Sequence, residues 1–236
     1  VPSFDVPSLA SGFFMTPHDY LMIIDTAYSK KLAKALLEIH AVVLRPQEPF
    51  VWASGWNAPI YCDNRLTLLY PDLRSEIADT FVGFLRANYA TIDVITGTAT
   101  AGIPHAAWVA DRMQLPMAYV RSKAKSYGMG NQIEGGVKKG QHTVVMEDLV
   151  STGGSVMSVV DTLHFVGAEV DAVLALFTYG FDVAHQKFVE HHLPLHYLTD
   201  YATLVEVARE TEVITADEVT LLEQWRNAPD HWPNIQ

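Results

Sequence analysis

Residues 143–155, TVVMEDLVSTGGS, place two adjacent carboxylates, Glu147 and Asp148, at the end of an apolar, β-branched run. A loop of hydroxyls and glycines follows: Ser151, Thr152, Gly153, Gly154 and Ser155. A loop of this kind opening a helix turns backbone N–H groups toward an anion, and the helix dipole adds to the attraction. It suits one phosphate. The neighbouring carboxylates suit sugar hydroxyls or a polyanion bridged by Mg2+. A tight strand-to-helix turn with Asp148 as an incidental cap would share the glycines, but it gives no reason for paired acids. The pattern is neither G-x-x-x-x-G-K-[ST] nor G-x-G-x-x-G.

A second chemical signal lies between residues 121 and 139. Five of the sixteen basic residues fall there (Arg121, Lys123, Lys125, Lys138 and Lys139), with Glu134 the one acid. The interval 122–141 is polar, holds Gly128, Gly130, Gly135, Gly136 and Gly140, and exceeds the usual length of a connection inside a compact domain. A mobile lid that brings positive charge onto an anion accounts for both features; a disordered, solvated insert accounts for them too.

The chain carrying these segments has 236 residues, 49% hydrophobic and 18% charged. It is long enough to bury a core without disulfide or metal staples, and its composition excludes a disordered protein. Sixteen basic against twenty-seven acidic residues give a net charge of −11, which argues against a general nucleic-acid or membrane surface. Cys62 is the single cysteine, so an intramolecular disulfide framework and a cysteine-based zinc site are excluded. No apolar run reaches the ~18 residues of a membrane helix, and the first residues lack a secretory pattern. The expectation is a cytoplasmic protein, with residues 1–15 an extension of no assigned role.

The elements that must position the two signals read as follows. Residues 16–43 have apolar positions at helical spacing, with Thr16 as N-cap and Pro17 as first helical residue. Residues 50–69 suggest short irregular strands. Helices are expected at 71–88, 102–113, 154–166 and 182–190, and strands at 92–96, 117–120, 143–146, 170–177 and 195–198. Strands alternating with helices imply a parallel sheet covered on both faces. The expected organisation is an N-terminal helix and hood over 16–70, an α/β core over 71–200 and C-terminal helices over 201–236. Ten histidines invite a metal reading, but His191, His192 and His196 fall across a helix end and a proline without a matching carboxylate cluster.

With these residues in view, E-D-L-V-S-T-G-G-S resembles the phosphoribosyl-diphosphate (PRPP) motif of type I phosphoribosyltransferases. The segments 50–65 (FVWASGWNAPIYCDNR), 97–104 (GTATAGIP), 119–136 (YVRSKAKSYGMGNQIEGG) and 176–180 (LFTYG) resemble those of the orotate phosphoribosyltransferases, in the same order. The resemblance covers roughly residues 18–230. It implies a type I phosphoribosyltransferase-like parallel sheet flanked by helices, with a small hood and a long active-site loop. The implied reaction transfers the 5-phosphoribosyl group from PRPP to orotate in pyrimidine biosynthesis, giving orotidine 5′-monophosphate and pyrophosphate.

By the same resemblance, Ser151, Thr152, Gly153, Gly154 and Ser155 hold the 5-phosphate, with Leu149 and Val150 leading into that loop. Glu147 and Asp148 face the ribose hydroxyls, and Asp148 joins the catalytic set. Thr98, Ala99, Thr100 and Ala101 form the pyrophosphate loop. Arg121 and Lys125 are lid residues that reach the neighbouring site of a homodimer, Lys125 carrying most of the charge stabilisation, while Tyr127 stands where many relatives have a histidine. Tyr61, Cys62 and Ser151 line the orotate slot. Arg65 is either the partner of the orotate carboxylate or one half of a structural ion pair. Mg2+ rides mainly on PRPP. Two other readings are a non-catalytic PRPP-sensing regulator and a phosphoribosyltransferase for another base; the lid lysine favours an enzyme over a sensor.

Overall fold

A computed structural model describes residues 16, 20–52, 55–122, 132–229 and 232. Among the described residues seven strands make one sheet: β1 (Leu21–Ile23), β6 (Val94–Thr98), β7 (Met117–Val120), β8 (Ile133–Glu134), β9 (His142–Val150), β10 (Glu169–Thr178) and β11 (Leu195–Asp200). Their spatial order is β1-β11-β10-β9-β6-β7-β8. Every pairing is parallel except β7 with β8. Because side chains alternate across a strand, a sheet buried on both faces needs apolar residues at successive positions. β9 and β10 show the result: Val144, Met146, Ala172 and Leu174 enter one core, and Val145, Val173 and Ala175 the other.

The first core is closed by α1 (Thr26–Glu38), α2 (Pro71–Asn88), α3 (Gly102–Met113), α6 (Tyr201–Glu210) and α7 (Ala216–Asn227). The second is closed by α4 (Gly154–Phe165) and α5 (Asp182–Glu190). α2, α3 and α5 coincide with the sequence reading. The long helix expected over 16–43 does not form. Leu21–Ile23 instead extends the sheet beside Leu195–Tyr197. Asp25 caps α1 by accepting from the Tyr28 N–H at 2.8 Å, and Val42–Leu44 becomes strand β2. Pro17 and its neighbours 18 and 19 lie outside the described residues. Three consecutive apolar residues satisfy a sheet edge as well as a helix face, and tertiary pairing decides between them.

The hood is built as expected from short pieces. β2 pairs antiparallel with β5 (Ile60–Cys62), and β3 (Phe50–Val51) pairs with β4 (Asn57–Ala58); a 3-10 turn runs over Asn64–Leu69. It is fastened to the C-terminal helix. Trp225 of α7 is fully buried, donates its indole N–H to the Asn57 carbonyl at 3.2 Å, and meets Trp52 edge-on at 5.6 Å. The interval 122–141 contributes one short strand, β8, back onto β7; residues 123–131 lie outside the described residues.

Candidate active site

Strands of a parallel sheet present their carboxyl ends, and the loops that follow them, to ligands. β9 runs four residues past its expected end and carries Glu147 and Asp148 within it, because pairing with β10 continues through Ala175↔Glu147, Phe177↔Leu149 and Thr178↔Val150. Glu147 is buried and accepts the Asp148 N–H at 3.0 Å. Burial, reinforced by the Asp148 charge, holds the Glu147 carboxyl well above its ordinary range. Burial also raises Asp148, opposed by its hydrogen bonding to Glu147 and by the Arg65 charge.

This pair costs the unliganded fold stability. A carboxyl that binds its proton more tightly folded than unfolded makes stability fall as pH climbs above the unfolded value near 4.5. Glu147→Gln, which can still accept the Asp148 N–H, is therefore expected to melt higher than the unaltered protein without ligand at pH 8. The gap should narrow steadily toward pH 4.5. A gap independent of pH across melting curves would remove the assignment.

The loop after β9 turns through Gly153 at φ +75° into α4. Thr152, Gly154 and Ser155 are exposed, so the N-terminus of α4 is open to an anion. Next to it, β6 ends at Thr98, and Ala99, Thr100 and Ala101 lead into α3. The Ala99–Thr100 peptide is cis, and the Ala99 N–H donates to the Val120 carbonyl at 3.0 Å. This second loop is pressed against the carboxylate strand. A Cβ on Gly102 would lie 2.3 Å from the Met146 carbonyl oxygen and 3.4 Å from the Glu147 Cα. The sequence-predicted pyrophosphate loop and acidic pair are thus brought together.

On the other side of β9 a cleft of about 450 Å³ opens between hood and core, within the size range of small-molecule sites. Phe50, Trp52, Tyr61, Cys62, Leu149 and Tyr179 give it flat and apolar walls, and Ser151 joins it to the glycine-rich loop. Burial and the Asp148 and Asp63 carboxylates push the Cys62 thiol up, so it stays neutral, donating to the Asn64 Oδ1 at 3.3 Å. Arg65 makes the ion pair: its Nε and Nη2 reach the two Asp63 oxygens at 2.6 and 2.8 Å. Arg121 follows β7, its N–H on the Gln132 carbonyl at 3.0 Å and its guanidinium 3.6 Å from Glu134. Lys123, Lys125 and Tyr127 lie outside the described residues.

Sequence reasoning missed four residues here. Asn64, buried, ties the hood to the acidic strand through its Nδ2 on the Asp148 carbonyl at 2.8 Å. Tyr179 walls the cleft from β10's far end. Lys187 donates to the Thr152 carbonyl at 2.9 Å, and Arg226 to the Gly180 carbonyl at 2.8 Å. Asn64 stands inside the Y-C-D-N-R segment, where its burial was the missing signal. Tyr179 stands inside the segment 176–180, and Lys187 and Arg226 come from distant stretches with no motif around them. Among the described residues no three His, Cys, Asp or Glu side chains gather as a metal cluster, and no helix is long and apolar enough to cross a membrane.

A doubly covered parallel sheet with an acidic pair, a phosphate-sized amide loop and a second small-residue loop at adjacent strand ends is the core of a type I phosphoribosyltransferase. The phosphoribosyl transferase domain profile matches residues 74–199. The chain is 50% identical over 207 residues to an orotate phosphoribosyltransferase of Enterococcus faecalis, covering 88% of this chain and 99% of that one. It is 52% identical over 199 residues to that of Bacillus subtilis, with coverage of 84% and 92%. Among solved structures, the orotate phosphoribosyltransferase of Aeropyrum pernix aligns with a TM-score of 0.67 at 29% identity, over 78% of this chain and 99% of that one. The chain belongs to the orotate phosphoribosyltransferase family.

Proposed function

We propose that the protein joins orotate to the phosphoribosyl group of PRPP, forming orotidine 5′-monophosphate and pyrophosphate for pyrimidine biosynthesis. The observation that carries this is Ser151, which lines the flat cleft and begins the phosphate loop, so that a base and a 5-phosphate lie at the two ends of one ribose. The N1 lone pair of orotate forms the new bond to the anomeric carbon. The carbon–oxygen bond to pyrophosphate breaks and its electron pair leaves with the pyrophosphate, while the N1 proton is released to solvent.

Positive charge develops on the ribose as this bond lengthens. Positioning and electrostatics therefore do more than any nucleophile of the enzyme. Glu147 and Asp148 face the ribose hydroxyls, the loop 98–101 receives the pyrophosphate on its amides, and Arg121 and Lys125 neutralise the leaving group. Tyr61 and Cys62 hold the base. A buried carboxylate pair that resists ionisation alone fits a partner that is cationic or rich in hydroxyls, as PRPP carrying Mg2+ would be. Bound in that way, Mg2+ supplies neutralising charge to the pyrophosphate. The protein acts as a cytoplasmic homodimer whose lid serves the neighbouring site.

The test is the loss of orotate absorbance on mixing protein, orotate, PRPP and Mg2+, with the expected result a rate that requires all four. PRPP binding without turnover on orotate would shift the reading to a sensor or to another base, and adenine and guanine would be tried next.

A further inference from the structure

Lys187 is the one cation that α5 directs at the glycine-rich loop, and nothing in the loop's own sequence announces it. Its ammonium donates to the Thr152 carbonyl at 2.9 Å and stands 3.7 Å from where a Gly154 Cβ would be. Its Cδ and the Ala184 Cα lie at 3.7 Å from the corresponding point on Gly153, so α5 packs directly under the turn.

The Thr152–Gly153 peptide is trans, and in a trans peptide the C=O and the N–H point in opposite directions. Holding the Thr152 carbonyl toward α5 therefore aims the Gly153 N–H away from α5. Glycine visits both signs of φ with little cost, so the covalent geometry of Gly153 does not by itself hold this orientation. Turned over, the same peptide would present a carbonyl oxygen in place of the N–H, and a carbonyl repels phosphate.

We propose that Lys187 is a positioning residue of the phosphate subsite: it fixes the Thr152–Gly153 peptide so that the Gly153 amide faces the 5-phosphate of PRPP. This rests on the reading that residues 151–155 hold that phosphate. Lys187 acts through the loop and takes no part in bond making.

Lys187→Met keeps the apolar stem and removes the donor. The expected result is a KM for PRPP raised about tenfold, the size of one lost charge-assisted hydrogen bond, with kcat within about twofold and the KM for orotate unchanged. Lys187→Arg should recover most of the loss. An unchanged PRPP KM in Lys187→Met, or a parallel rise in both KM values with a lowered Tm, would overturn the proposal. If the unaltered protein does not turn orotate over, the function reading has failed instead. Titration with ribose 5-phosphate then decides alone: tenfold weaker binding to Lys187→Met supports the role, and equal or absent binding overturns it.

Discussion

Lys125→Ala is expected to convert orotate two to three orders of magnitude more slowly than the unaltered protein, with little change in the KM for PRPP. Removing one preorganised group that meets charge developing in the transition state costs about 10² to 10³ in rate. Lys125 belongs to the segment 119–136, which starts from β7. The end of that strand is joined to the second loop by the bond between the Ala99 N–H and the Val120 carbonyl. Lys123→Ala should lose far less. If the lid serves the neighbouring subunit, mixing Lys125→Ala with Asp148→Asn restores turnover, because a hybrid pair then owns one intact site. A Lys125→Ala protein with unaltered kcat would end the assignment of this lysine to the chemistry.

Gly102→Ala is expected to lose both stability and activity, although it adds one methyl group. That carbon would sit 2.3 Å from the Met146 carbonyl oxygen, and backbone is the least able neighbour to move away. Overpacking of this kind costs about 1–3 kcal/mol. The movement that relieves it separates α3 from β9, and so parts the second loop from Glu147. A displacement near 1 Å in a positioned site lowers rates by about 10². Denaturant midpoints and kcat/KM measured on one preparation check the two effects together. A variant as stable and as active as the parent would show that α3 and β9 are not in close register.

How much of this was legible in the sequence differs from element to element. α2 could be read in full because Pro71 marks its first turn and its apolar residues keep helical spacing. The residues 21–23 could not, since an apolar triplet carries no period, and the partner that makes it a strand lies at residues 195–197. β9 was read too short because polarity changes at Glu147, whereas backbone pairing is indifferent to side-chain charge. For the site, the loops could be located from their small residues and their place after strands. Their supports could not: Asn64, Tyr179 and Lys187 act across long sequence separations, where no local pattern records the contact. Arg65 was open between two roles, and only geometry shows its Nε and Nη2 engaged by Asp63.

The parallel pairing of Leu21–Ile23 with Leu195–Tyr197 has a meaning for how the chain is made. The strand synthesised first among those of the sheet must wait for the one synthesised last. At ribosomal rates of about 5–20 residues per second that delay is on the order of ten to thirty seconds. Throughout it, the edge of β10 that will receive β11 stays open, and α7, which fastens the hood, has not emerged. A nascent chain can thus assemble the centre of its sheet early, but it closes the cleft between hood and core only after α7 has been made.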